Sequence, residues 1–192
     1  FHGCGHLEAI AVDALNPALG SAEGALVDKR EATLLLCPAR KTGSFAIPAG
    51  LVAIGNEAFA HCAGLVEVAL PESLVRIGDW AFDSSGLVGI QIPGGVTQIG
   101  VGAFSACANL ARAEGGAGLV QIGRRAFERS RLIGFAMSNG VTQLGSWAFY
   151  GCPHLARVEL SENLSRIEER TFFDCTALTA LALPAGIAYV GD

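Results

Sequence analysis

The chain has no uncharged apolar run of the ~18 residues that a membrane-spanning helix needs, although 51% of its residues are hydrophobic. It also lacks a basic stripe and any interleaving of aromatic with basic residues, which argues against a nucleic-acid partner. Charge is sparse, at 16% of residues, and leaves a formal net charge of −5. Signatures of phosphate cradles and nucleophile elbows are missing: there is no G-x-S-x-G, no P-loop and no complete G-x-G-x-x-G. Gly100-Val101-Gly102 and Gly116-Ala117-Gly118 resemble fragments of such patterns but read as repeat turns. With no Ser/His/Asp arrangement either, the residues point away from an enzyme.

What the chain does have is an internal repeat, and phenylalanine sets its register. Phe59, Phe82, Phe104, Phe127, Phe149 and Phe172 are spaced by 23, 22, 23, 22 and 23 residues. Alanine precedes five of them, and Thr171 breaks the series. Five residues before each Phe stands an aliphatic (Ile54, Ile77, Ile99, Ile122, Leu144, Ile167). Glycine follows it at Gly55, Gly78, Gly100, Gly123 and Gly145, with Glu168 in the last unit. Three residues after each Phe lies Cys62, Ser85, Cys107, Ser130, Cys152 or Cys175. The Cys units then read C-x-x-L and the two Ser units S-x-L, and this one-residue deletion accounts for the 22-residue spacings.

Each position has a physical reading. In Leu65-Val66-Glu67-Val68-Ala69-Leu70-Pro71 the alternation puts Val68 and Leu70 on one face of a short strand, with Glu67 and Ala69 opposite. Pro71, Pro93 and Pro184 end such strands, because proline cannot donate to a continuing ladder. A second extended piece (Leu74 to Ile77) leads to the glycine, read as a positive-φ turn into a short helical corner that carries Ala-Phe. One such unit buries almost nothing alone, so the units must stack, with the Phe rings as a ladder inside the core. The expected fold is a leucine-rich-repeat solenoid of 22/23-residue repeats: an α/β-type right-handed superhelix of short strands and short helical corners, dominated by its strands.

The repeat makes residues 1–192 one elongated domain. Phe1 to Leu7 already fits F-x-x-C-x-x-L, and Tyr189 to Asp192 stops short of the next Ala-Phe, so the chain is expected to be a piece of a longer array. Between Phe1 and Phe59 lie more residues than one unit needs, and residues 13–43 read as an irregular, hairpin-like insertion. Ala25 to Val27 and Thr33 to Leu36 form its two strands around a charged turn.

With these residues in place, the chain resembles the BspA-like leucine-rich-repeat family, also called the Treponema pallidum-type repeat. The pattern that carries it is Val96-Thr97-Gln98-Ile99-Gly100-x-x-Ala103-Phe104-x-x-Cys107-x-x-Leu110, which recurs over about 44–192 and partially over Phe1 to Val12. The resemblance implies a surface or secreted protein of a host-associated bacterium or protozoan that adheres to host matrix proteins or other cells; the expected partner is a host matrix or cell-surface protein, or a glycan. It implies no catalysis and no cofactor in the repeats, and it carries over no functional residue. A passive spacer displaying another domain, or a substrate-binding appendage of a surface enzyme, are the competing expectations.

Most reactive-looking residues are repeat positions. Cys4, Cys62, Cys107, Cys152 and Cys175 fall where serine also occurs, so they read as small buried thiols, with Cys37 outside the repeat. His2-Gly3-Cys4-Gly5-His6 has metal-ligand residue types, yet Cys4 is at the inward position, so no metal is expected. Asn163-Leu164-Ser165 is a sequon of the kind that arises by chance. The remaining candidates are on the surface. Arg112/Glu114 and Arg157/Glu159 share one repeat position two rungs apart and predict a banded charge pattern. Trp80 and Trp147 stand two residues before a Phe, either as binding hot spots or as shields over the corner of the core.

Overall fold

The computed structural model describes residues 4–192, and from residue 43 it is a stack of rungs with two strands each, except the last, which has only the second. Phe1, His2 and Gly3, and with them part of the His-Cys-His pattern, lie outside the described residues. The first strand of each rung is β4 (Gly43–Ala46), β6 (Leu65–Ala69), β8 (Gly89–Gln91), β10 (Arg112–Glu114), β12 (Gly134–Ala136) and β14 (Arg157–Glu159). The second is β5 (Ala53–Ile54), β7 (Arg76–Ile77), β9 (Gln98–Ile99), β11 (Gln121–Ile122), β13 (Gln143–Leu144), β15 (Arg166–Ile167) and β16 (Tyr189–Val190). All pairings between rungs are parallel.

The alternation in sequence becomes alternation in burial: Val68 is buried while Val66, Glu67 and Ala69 are exposed. Inside, Phe59, Phe82, Phe104, Phe127, Phe149 and Phe172 form the expected ladder. Successive rings lie 4.9, 5.2, 5.2, 5.4 and 5.6 Å apart and within 7° of parallel. The first five of these rings are fully buried. Burial of each such side chain is worth roughly 1.5–3 kcal/mol, and stacking neighbours supplies it where one unit could not.

The corners differ from the expectation. No helix occurs among the described residues; each corner is a run of turns whose amides reach the next rung. Phe59, Phe82 and Phe104 donate their N–H groups to the carbonyls of Ala81, Ala103 and Ala126, each at 2.7 Å. Trp80 and Ser84, on either side of Phe82, donate to Val101 and Ser105 in the same way. Directing these amides outward along the stack requires left-handed backbone two residues before and after each Phe. Glu57, Trp80, Arg125, Trp147 and Arg170 have positive φ before it, and His61, Ser84, Ala106, Arg129 and Asp174 after it. Only Gly102 and Gly151 fill such corner positions without strain.

The repeat glycines are therefore not the positive-φ residues. None of Gly55, Gly78, Gly100, Gly123 and Gly145 lies in the left-handed region. Four of them are glycine because the rung beneath is too close. A Cβ on Gly78, Gly100 or Gly123 would stand 2.7, 2.5 or 2.6 Å from the carbonyl carbon of the preceding repeat glycine, and one on Gly145 2.4 Å from the Arg124 nitrogen.

The segment 13–43 joins the second ladder at β5. β1 (Leu19–Ala22), β2 (Ala25–Asp28) and β3 (Thr33–Leu36) form an antiparallel meander. β3 then pairs in parallel with β5, so the meander opens directly into the second ladder. Cys4 is exposed, contrary to its inward reading. Its segment runs beside the meander, with the Ile10 N–H bonded to the Gly24 carbonyl, and does not pack as a rung.

Candidate functional site

The first-strand face carries the banded pattern. Parallel register aligns Gly89, Arg112, Gly134 and Arg157 in one outward column. Glu114 lies opposite Gln91, and Glu159 opposite Ala136, in the next outward column. Arg-x-Glu thus occurs in the long units of Cys107 and Cys152, and Gly-x-Gln or Gly-x-Ala in the short S-x-L units; the long units of Cys62 and Cys175 carry Glu67-Val68-Ala69 and Ala180-Leu181-Ala182 instead. The result is two charged ridges separated by a rung almost without outward side chains. Arg157 and Glu159 pair with each other at 2.5 Å while staying mostly exposed, a pairing that costs little to exchange for a ligand.

The length alternation also opens this face. From a short unit to a long one the strands pair at three residues, as in β8–β10 and β12–β14. From long to short, β10 meets β12 at the single pair Arg112↔Gly134. β6 and β8 share no strand pairing, although a bond from the Val88 N–H to the Val66 carbonyl spans them. A depression lies at each loose junction. One, of about 520 Å³, runs between β6 and β8. The other, of about 370 Å³, is floored by Gly134–Ala136 and walled by Glu114, Arg157 and Glu159. Deleting one residue after serine shortens the approach to β8 and β12, so these strands cannot keep the register of the longer rung beneath.

The two tryptophans sit in a different column, on the corner. Trp80 is half-buried and lies over Gly102, where an added Cβ would meet its ring at 2.3 Å. Trp147 is also half-buried, and guanidinium groups of adjacent rungs cover it: Arg125 at 5.1 Å and Arg170 at 4.9 Å from the ring centre. Tyr150 leans on Trp147 at 4.7 Å and stacks on Phe173 at 5.4 Å. The Nε of Arg125 is buried without a hydrogen bond and faces Glu128 at 3.6 Å. The two Trp residues do not come together with the Arg/Glu ridges. Arg125, Arg170, Tyr150 and Phe173 escaped the sequence reading; their signal was the shared offset of Arg125, Trp147 and Arg170, each two residues before a Phe.

The inner Cys/Ser column is structural. All six cysteines are free thiols. Cys107, Cys152 and Cys175 donate to the carbonyls of Phe82, Phe127 and Phe149 at 3.0, 3.1 and 3.1 Å. Ser85 and Ser130 contact the Cys107 and Cys152 sulfurs at 3.3 and 3.4 Å. Burial pushes the Cys107 thiol up to about 11 and the Cys175 thiol up to about 12, and raises Cys152 as well. Contact with Cys62, together with burial, also raises Cys37. Among the described residues no three His, Cys, Asp or Glu side chains converge on a metal position, and no helix is long and apolar enough to cross a membrane. The Asn163 amide of the sequon donates to the Asn139 carbonyl at 2.8 Å.

Comparison with known proteins agrees with this architecture. The BspA type leucine rich repeat region matches residues 39–152 and 116–192, in six copies. No curated protein matches the chain. Among solved structures, a leucine-rich repeat protein of Eubacterium ventriosum is 25% identical with a TM-score of 0.88, over 97% of this chain and 51% of that one. One from Bacteroides ovatus is 23% identical with a TM-score of 0.72, over 94% and 56%, and shares the fold. The leucine-rich repeat protein of T. pallidum is 30% identical with a TM-score of 0.78, over 82% and 77%. The chain thus spans about half the length of the first two.

Proposed function

Because the chain belongs to the BspA-type leucine-rich repeat family, we propose that it is a protein-binding or adhesion module, displayed at a cell surface or secreted, that holds its partner on the β8–β14 face. The observation that carries this reading is the alternation of Arg112/Glu114 and Arg157/Glu159 ridges with the bare Gly134–Ala136 trough. A partner surface with both charge signs docks its own ridge into the trough and exchanges ion pairs with its walls. Charge of both signs in fixed register selects partners and speeds their encounter more than it adds affinity. The open ladder beside the trough leaves backbone free to join such a contact.

The test measures retention of the folded chain on immobilised host matrix proteins and on host cells. The Arg112→Ala/Glu114→Ala/Arg157→Ala/Glu159→Ala variant should lose at least tenfold in retention and show strong salt dependence before the loss. Trp80→Ala and Trp147→Ala are compared in parallel as the corner alternative. Equal retention by wild type and the fourfold variant, or none by either, would sink the proposal in favour of a passive spacer.

A further inference from the structure

The second ladder runs unbroken from β3 to β13 and then stops: β15 pairs onward with β16 but not back to β13. The break coincides with the one unit whose glycine is replaced. The N–H groups of Gly100, Gly123 and Gly145 each donate to the rung beneath at 2.9 Å, an approach with no room for a Cβ. Glu168 brings a Cβ to that position, so its rung stands off. The corner bonds nevertheless persist, with the Trp147 N–H on the Glu169 carbonyl at 3.0 Å. A cleft of about 610 Å³ includes the gap and extends over β13 and β11, within the roughly 300–1,000 Å³ of small-molecule sites.

The lining is rich in amides and hydroxyls. The amides of Gln121 and Gln143 and the hydroxyls of Thr142, Ser146 and Ser165 line the cleft. None of these side chains has a hydrogen-bond partner among the described residues. Arg124 stands exposed on one wall without an acidic partner. Arg166 is held on the other by Glu168, at 2.6 and 3.3 Å, and by the Tyr189 ring at 4.8 Å. No aromatic side chain lines the cleft, and of its aliphatics Ile122 and Leu144 are buried in the core, which leaves Val101 half-buried at the edge. Free amides and hydroxyls suit a ligand dense in hydroxyl groups, and the unpaired guanidinium suits a carboxylate on it. A peptide would lack the apolar anchors that peptide grooves supply.

We propose that this cleft binds a short carboxylate-bearing oligosaccharide, with Arg124 on the carboxylate, Gln121 and Gln143 on ring hydroxyls, and the Arg166–Glu168 pair offering both donor and acceptor at the far wall. The site is separate from the first-strand face and stands or falls independently of the protein-binding reading.

Calorimetric titration of the chain with trigalacturonate tests it, with the methyl-esterified trimer as neutral control and triglutamate as acidic-peptide control. Saturable binding of trigalacturonate alone is expected, weakened at least tenfold by Arg124→Ala and severalfold by Gln143→Ala, both exposed positions. Glu168→Gly should let β15 pair with β13, slow exchange of the amide at 168, and weaken binding severalfold by narrowing the cleft. The proposal is overturned if wild type does not bind the trimer, binds the ester or triglutamate equally well, or binds unchanged after Arg124→Ala. It is equally overturned if Glu168→Gly restores the pairing and leaves affinity intact; should that variant not fold, the two exposed substitutions decide.

Discussion

The two ladders of this solenoid are made by the same turns of chain, yet one tolerates irregularity and the other does not. The first-strand ladder falls into separate sheets, β4–β6 and β8–β14, because unit length alternates between C-x-x-L and S-x-L. The second-strand ladder ignores that alternation and stays paired over five strands, β5 to β13, until a single Glu replaces glycine. The difference lies in where the constraint acts. A deletion in the loop between Cys/Ser and Leu changes the approach to the first strand alone, and the turn between the two strands, bonded rung to rung through the N–H groups of Thr97, Val120 and Thr142 on the carbonyls of Val75, Thr97 and Val120, resets the register before the second begins. The second ladder instead depends on backbone contact so close that one Cβ is decisive.

The largest effect should come from the core that both ladders share. Phe104→Ala removes one ring from the stack and should cost about 3–5 kcal/mol in chemical denaturation, loosening both faces around its rung. Next, the same substitution made in each ladder should separate them. Gly100→Ala puts a Cβ 2.5 Å from backbone and should cost about 1–3 kcal/mol. Gly134→Ala, whose Cβ would be 3.3 Å from the Arg157 carbonyl, should change stability much less. Equal losses would break the comparison.

Lengthening a short unit sharpens it further. One residue inserted between Ser130 and Leu132 should let β12 pair fully with β10, slowing amide exchange at Phe135 by the equivalent of about 1 kcal/mol, the net worth of a hydrogen bond. It should shrink the Gly134–Ala136 depression and leave β11–β13 exchange unchanged.

The thiol column, common to both ladders, gives a pH test. In the fold Cys107 and Cys175 ionise near 11 and 12, above their ordinary value of 9.0, so the protonated form is favoured when folded. That contribution is fully present below pH 9 and is lost as pH rises through 11 to 12. Denaturation midpoints should therefore fall across that range, and Cys107→Ser should flatten part of the decline. At neutral pH iodoacetamide should modify the exposed Cys4 and spare the buried thiols. The smallest effect belongs to the corner: Ala106→Gly relieves a φ of 52° and should stabilise by about 0.5 kcal/mol after the entropic cost of glycine.

Much of this was legible in the sequence because the repeat compares the chain with itself. Phe spacing gave the rung, alternation around Val68 gave the inward face, and the shared offset of Arg112/Glu114 and Arg157/Glu159 gave the ridges. The opening at β10–β12 was not legible, although the deletion that causes it was. A missing residue shows that two units differ in length, not which of their strands loses its partner. Trp80 and Trp147 were legible as a pair, but their coverage by Arg125 and Arg170, or their seat on Gly102, depends on which side chains neighbouring rungs bring beside them.

By itself the sequence determined the period, the buried column of Phe, Cys and Ser, and the family, because these follow from which residue types recur at fixed distance. Tertiary structure decided why the glycines are there. They read as turn residues, yet the left-handed backbone falls two residues before and after each Phe, on Trp, Arg, Glu, His and Ser as often as anything else. Glycine is needed where one rung rests on the next, and a distance between rungs is a property of the stack that no single unit contains.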